Sequence, residues 1–306
     1  MINRRRLAGA TAGLLTGVLA GCASVDPTLP RVGRGRVERL ANVPSRFVDA
    51  RHVDVWLPDG HTPDRPCGVL YMHDGQALFD GAQSMSREGW QVDQALGTLI
   101  AQGSLPQTLV VGIWHTGRRR HSEYFPAKFL PFMAEPLRTR FVEQALDGRP
   151  RADAYLRFIV EELKPLIDRR YATLRGREHT FVMGSSMGGL ISLYALAEYP
   201  AVFGGAAGLS THWIGGFERN TQIPDAALSY LRQALPPAGA HRIYMDRGTT
   251  ELDALYDDAQ ARVDALMAER GFAAPRFVSR VFEGTGHSEL FWRERLHLPL
   301  RFLLEA

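Results

Sequence analysis

The sequence predicts an α/β domain built on a mostly parallel central sheet flanked by helices. Three observations carry that reading. From about residue 46 onward, short apolar runs ending in turn residues alternate with longer segments of helical spacing. The 306 residues, 45% hydrophobic and 23% charged, suffice for one sizeable core. No internal repeat or low-complexity stretch interrupts the alternation.

The elements follow in order. RFVDARHVDVWLP (46–58) alternates like a strand and stops at Pro58. CGVLYMHDG (67–75) and TLVVGIW (108–114) are apolar runs of buried-strand type, separated by WQVDQALGTLIAQG (90–103), which has helical spacing and a glycine stop. AYLRFIVEELKPLIDRRY (154–171) is an amphipathic helix interrupted at Pro165. HTFVMG (179–184) is a strand, and SMGGLISLYALAEYP (186–200) a helix that ends at Tyr199-Pro200. GGAAGLS (204–210), RIYMD (242–246) and RFVSRVFE (276–283) then alternate with helices at about 226–235, 251–270 and 288–304. Between Thr116 and Ala152 no strand signal occurs. Connections of that length in compact domains usually carry function, so about 116–152 is expected to be a lid-like insertion over the site.

The first residues read as an export signal. NRRR (3–6) precedes LAGATAGLLTGVLA (7–20), an apolar stretch too short to span a bilayer, which runs into Leu19-Ala20-Gly21-Cys22. That ending resembles a bacterial lipobox. It implies that residues 1–21 are removed and that Cys22 is lipidated, anchoring the chain to a lipid bilayer as a periplasm-facing lipoprotein. Ala23 in the next position points to the outer membrane. Residues 22–45 are expected to be a tether and 46–306 the folded domain. Cys22 and Cys67 are the only cysteines, so no disulfide framework is expected unless those two pair. The net charge of +3 equals the contribution of Arg4, Arg5 and Arg6, and the rest of the chain is balanced. A balanced body lacks the cationic excess that nucleic-acid binding requires.

The chemistry centres on Gly184-Ser185-Ser186-Met187-Gly188, a G-x-S-x-G between a predicted strand and a predicted helix. That context makes it a nucleophile elbow with Ser186 as the nucleophile and Ser185 at the intervening position. A serine needs a base, and the base needs an orienting acid, in the chain order Ser, acid, His. His287, on the glycine-flanked loop of EGTGHSELFW (283–292), is the base. RIYMDRGTTELDALYDD offers Asp246, Glu251, Asp253, Asp257 and Asp258 as acids, and Glu251, just past the Gly248 turn, is the expected one. The backbone N–H groups of Gln76 and Met187 are the expected oxyanion donors. His73 and Asp74 lack a second cluster with ligand spacing, so neither a metal nor another cofactor is expected.

Taken together, YMHDGQALFD (71–80), GWQVDQAL (89–96), VVGIWHTGRRRHSEYFP (110–126), GSSMGGL (184–190), YMDRGTTE (244–251) and EGTGHSE (283–289) resemble the esterase D / enterobactin esterase-like branch of the α/β-hydrolases. The resemblance implies an α/β-hydrolase fold, a serine carboxylic-ester hydrolase working through an acyl-enzyme, and a Ser186–Glu251–His287 triad. It also implies a small-molecule, saccharide or siderophore ester as substrate. WHTGRRRHSEYFP (114–126) resembles the arginine-bearing loop that faces the substrate in siderophore-ester hydrolases. On that reading Arg118, Arg119 or Arg120 would clamp an anionic substrate, with Trp114, Tyr124 and Trp213 lining the pocket. An acyltransferase using the same acyl-enzyme, and a non-catalytic binding lipoprotein on the same scaffold, are the competing functions.

Overall fold

A computed structural model describes residues 28–305. The expected export signal and the expected lipidation site at Cys22 lie outside them. Eight strands form one sheet: β1 (Arg36–Val43), β2 (Arg51–Leu57), β3 (Gly68–His73), β4 (Thr108–Ile113), β5 (Thr180–Ser185), β6 (Gly205–Leu209), β7 (Arg242–Arg247) and β8 (Phe277–Val281). Their order is β1-β2-β4-β3-β5-β6-β7-β8. β1 and β2 pair antiparallel with each other and β2 antiparallel with β4, while every other pairing is parallel.

The helices are α1 (Val92–Ala101), α2 (Arg120–Tyr124), α3 (Leu137–Ala145), α4 (Ala152–Arg157), α5 (Lys164–Arg170), α6 (Met187–Glu198), α7 (Gln222–Ala234), α8 (Asp257–Glu269), α9 (Glu289–Arg295) and α10 (His297–Leu304). Strand alternation divides the core between the two faces. Val53, Val55, Val69 and Tyr71 pack on the side of α2–α8, whereas Trp56, Leu70 and Met72 pack on the side of α1, α9 and α10. The break expected at Pro165 takes the form of a π-helical turn, Phe158–Leu163, between α4 and α5. A proline cannot donate to the ladder, and widening the preceding turn accommodates that loss.

One expectation is corrected here. Residues 36–43, read as part of a tether, form an edge strand. Only Leu40 and Val43 of RVERLANV are buried, so the alternation that marks an interior strand is absent. The residues before it are also held: Trp56 Nε1 donates to the Arg34 carbonyl at 2.7 Å, and the amides of Gly33 and Arg31 donate to Asp93 and Asp80 at 2.7 and 2.8 Å. The expected 116–152 insertion is present and is largely a packed substructure. It holds α2, α3 and a 3₁₀ segment, Ala127–Phe132, and it buries Tyr124, Phe125, Phe129, Leu130 and Phe141 in the core.

Candidate active site

Ser186 sits where β5, buried along its whole length, turns into α6. Its backbone is at φ 55°, ψ −123°, a region costly for any residue with a Cβ. The turn closes because glycines allow close approach: a Cβ on Gly184 would lie 2.7 Å from the Gly188 backbone. The Ser186 amide donates to the Leu209 carbonyl at 2.9 Å, fixing the elbow to β6.

His287 arrives on the loop after β8. Its Nδ1 lies 2.6 Å from Oδ1 of Asp253. A carboxylate can only accept, so Nδ1 carries the proton and Nε2 keeps its lone pair free. The carboxylate at the imidazole is therefore Asp253, and the expectation of Glu251 is corrected. Glu251 accepts the backbone N–H of His287 at 2.8 Å, binding the loop rather than the ring. The two residues share a 3₁₀ turn, Glu251–Leu255, whose threefold repeat aims side chains two positions apart in different directions. Asp253 is fully buried. Its Oδ2 accepts from Ser210 Oγ and from the Gly248 amide, each at 2.6 Å. Burial alone would raise its pKa, but the bonds from His287, Ser210 and Gly248 outweigh that and hold it below the usual carboxylate range. Ser210 in turn accepts from Trp292 Nε1 at 2.9 Å and from Arg295 at 3.1 Å, and Arg295 also pairs with the buried Asp246.

A second hydrogen-bonded pair borders the serine. The Tyr256 hydroxyl is 2.6 Å from His212 Nδ1 and also meets the Ser186 side chain. Burial pushes His212 down to about 3, so it is neutral at ordinary pH. The Tyr256 ring stands edge-on to His287 at 5.8 Å, and Trp292 does the same at 5.1 Å from another side.

Gln76 and Met187 both occupy leading positions of helical turns, in Gly75–Ala77 and at the start of α6. There the first N–H groups have no intrahelical partner. The cleft lined by Gln76, Ser186 and His287 has a volume of about 330 Å³. Trp90, Trp292 and Met85 form its apolar wall, and Gln76, His115, Arg120 and Glu289 its polar one. Arg120 is in the cleft as expected, paired in two-point fashion with Asp74 at 2.7 Å for each bond. Arg118 points elsewhere, largely exposed and 3.2 Å from Asp147. Tyr124 and Trp213 are buried rather than pocket-lining: Tyr124 accepts the Asp74 amide at 3.2 Å, and Trp213 donates to Gln260 at 2.8 Å. Trp90, Glu289 and Trp292 fall within the quoted stretches, but nothing there assigns them a role, and Tyr256 carries no motif that would single it out. Asp253 was readable as a candidate acid, but only the 3₁₀ turn brings it to the imidazole.

A family model described as "Putative esterase" matches residues 45–303. The chain belongs to this esterase family. As a member it is a carboxylic-ester hydrolase of the α/β-hydrolase superfamily. The esterase is 24% identical over 261 residues to the uncharacterized protein YbbA of Bacillus subtilis (strain 168), covering 83% of this chain and 92% of that one. It is 30% identical over 174 residues to the iron(III) enterobactin esterase of Dickeya dadantii (strain 3937), covering 52% of this chain but only 39% of that protein. Among solved structures, a ferulic acid esterase superposes with a TM-score of 0.64 at 17% identity, over 89% of the esterase and 98% of its own chain. At that identity the likeness speaks for the fold.

Proposed function

We propose that the esterase cleaves carboxylic esters through an acyl-enzyme on Ser186, with His287 as base and Asp253 as the orienting acid. Ser186 Oγ attacks the ester carbonyl while His287 Nε2 takes its proton. The tetrahedral oxyanion is received by the N–H groups of Gln76 and Met187. Collapse expels the alcohol, which takes the proton from His287. Water, activated by the same imidazole, then releases the acid. The observation that carries this reading is the 2.6 Å contact of His287 Nδ1 with a buried carboxylate, at the mouth of a strained serine elbow. The Trp90–Trp292 pair, ring centroids 5.5 Å apart, supports an ester with a flat aromatic or apolar body. The names of the ferulic acid and enterobactin esterases agree with that class. Mass spectrometry of enzyme quenched during turnover of an aryl ester tests the scheme. An acyl adduct on the Ser186 peptide supports it, and turnover with no adduct there under burst conditions defeats it.

We further propose export and lipid attachment at Cys22, supported by Leu19-Ala20-Gly21-Cys22 after an apolar stretch. Detergent-extracted protein should then begin at an acylated Cys22; an unmodified N-terminus there would reject the reading.

A further inference from the structure

We propose that the cleft carries one uncompensated negative charge, on Glu289, which selects neutral or cationic esters over anionic ones. The proposal rests on the esterase reading of this cleft and concerns which esters it admits. Three residues that line it bear fixed charge: Asp74, Arg120 and Glu289. Arg120 is the cation that an anionic substrate would be expected to seek. Its Nε and Nη2 are already committed to the two oxygens of Asp74 at 2.7 Å each, and the Tyr124 ring lies 5.1 Å from its carbon centre. A guanidinium saturated along one edge and covered on one face has little left to give an incoming carboxylate. Its charge is balanced at the site, because the burial that would penalise the Arg120 cation is offset chiefly by Asp74.

Glu289 lies on the same wall, at the first position of α9, half-buried. It acts on Arg120 through space, yet among the described residues no ion pair joins it to a cation. The cleft histidine His115 is no fixed cation: burial disfavours its charged form, Asp74 opposes that and Arg120 reinforces it. Two carboxylates against one guanidinium leave an excess negative charge beside the space a substrate must fill. Like charge at such range in a partly dry cleft is disfavoured, and salt weakens the effect.

The test uses three p-nitrophenyl esters of similar size: butyrate (neutral), hemisuccinate (anionic) and 4-(trimethylammonio)butyrate (cationic). Intrinsic reactivity differs among them and cancels when each kcat/KM is expressed as a ratio between wild type and Glu289→Gln. The substitution should raise relative kcat/KM for the anionic ester by about three- to tenfold and lower it for the cationic ester, both effects shrinking at 0.5 M salt. Glu289→Lys should push further the same way, and Glu294→Gln, exposed on the far side of α9, should do neither. Equal changes on all three esters, or a wild-type gain with the anionic ester that Glu289→Gln leaves intact, would overturn the charge selection while leaving the esterase reading in place. Absence of turnover together with absence of fluorophosphonate labelling at Ser186 would instead overturn that reading, and this proposal with it.

Discussion

Asp253 and His287 are joined twice over, once directly and once through the chain. Asp253 Oδ1 meets the imidazole Nδ1 at 2.6 Å, while two residues earlier Glu251 holds the backbone amide of the same histidine at 2.8 Å. One carboxylate sets the tautomer of the ring, and the other sets the position of the loop that carries it. Substitutions should separate these duties. Asp253→Asn should lower kcat by roughly 10³- to 10⁴-fold, because the ring loses the acceptor that keeps Nε2 free. Glu251→Gln should cost no more than about tenfold, since a neutral amide oxygen still accepts the His287 N–H. Steady-state kinetics of both variants decide it; a Glu251→Gln enzyme as crippled as Asp253→Asn would return the acid role to Glu251.

Ser186 and its neighbour Ser185 differ in backbone, not only in position. Ser185 closes β5 in extended conformation, whereas Ser186 occupies the strained elbow. Ser186→Ala should abolish fluorophosphonate labelling and reduce kcat at least about 10⁴-fold. Ser185→Ala should retain both. Peptide mapping of the adduct distinguishes them, and label on Ser185 would reverse the assignment.

Tyr256 offers a quieter test. Replacing it with Phe leaves His212 Nδ1 buried without its 2.6 Å partner, which should cost about 1–3 kcal/mol of stability. If its contact with Ser186 steadies the nucleophile, kcat should fall roughly tenfold with KM little changed, the worth of one hydrogen bond. Unchanged kcat in a destabilised variant would make the hydroxyl purely structural.

Acid should destabilise the fold through its buried histidines. Burial lowers His73 to about 4 and His212 to about 3. Asp74 opposes the shift at His73, and His287 adds to that at His212. Between those values and about 6.5 the unfolded chain binds protons that the folded chain refuses, so stability falls as pH drops through that window. Each histidine contributes at most about 1.4 kcal/mol per pH unit. Urea unfolding at pH 7, 6 and 5 should show the decline, and His212→Gln should flatten it by about one proton. A stability constant from pH 7 to 5 contradicts this.

Much of this architecture is legible in the sequence because its signals are local. Glycines at 184 and 188 around Ser186, between a strand and a helix, locate the elbow, and the glycine-flanked loop after the last strand locates His287. The acid is less legible because its position depends on a 3₁₀ turn that changes side-chain direction within two residues. Trp213 looks like a pocket aromatic until packing turns its indole towards Gln260. Arg120 reads as a free cation until the fold brings Asp74, 46 residues earlier, against it. β1 is hidden because an edge strand needs only one or two apolar residues to seal it.

That edge strand has a bearing on how the chain can be shortened. A protein begun at residue 46, where the apolar alternation starts, would lose β1 and with it the cover of β2, a strand carrying Val53, Val55 and Leu57. Uncapped strands of that kind recruit one another edge to edge. It would also release Asp80 and Asp93, whose partners at Arg31 and Gly33 brace the stretch leading through Met85 and Trp90 to α1. A trimmed enzyme should thus aggregate and bind substrate loosely even with Ser186, Asp253 and His287 all in place.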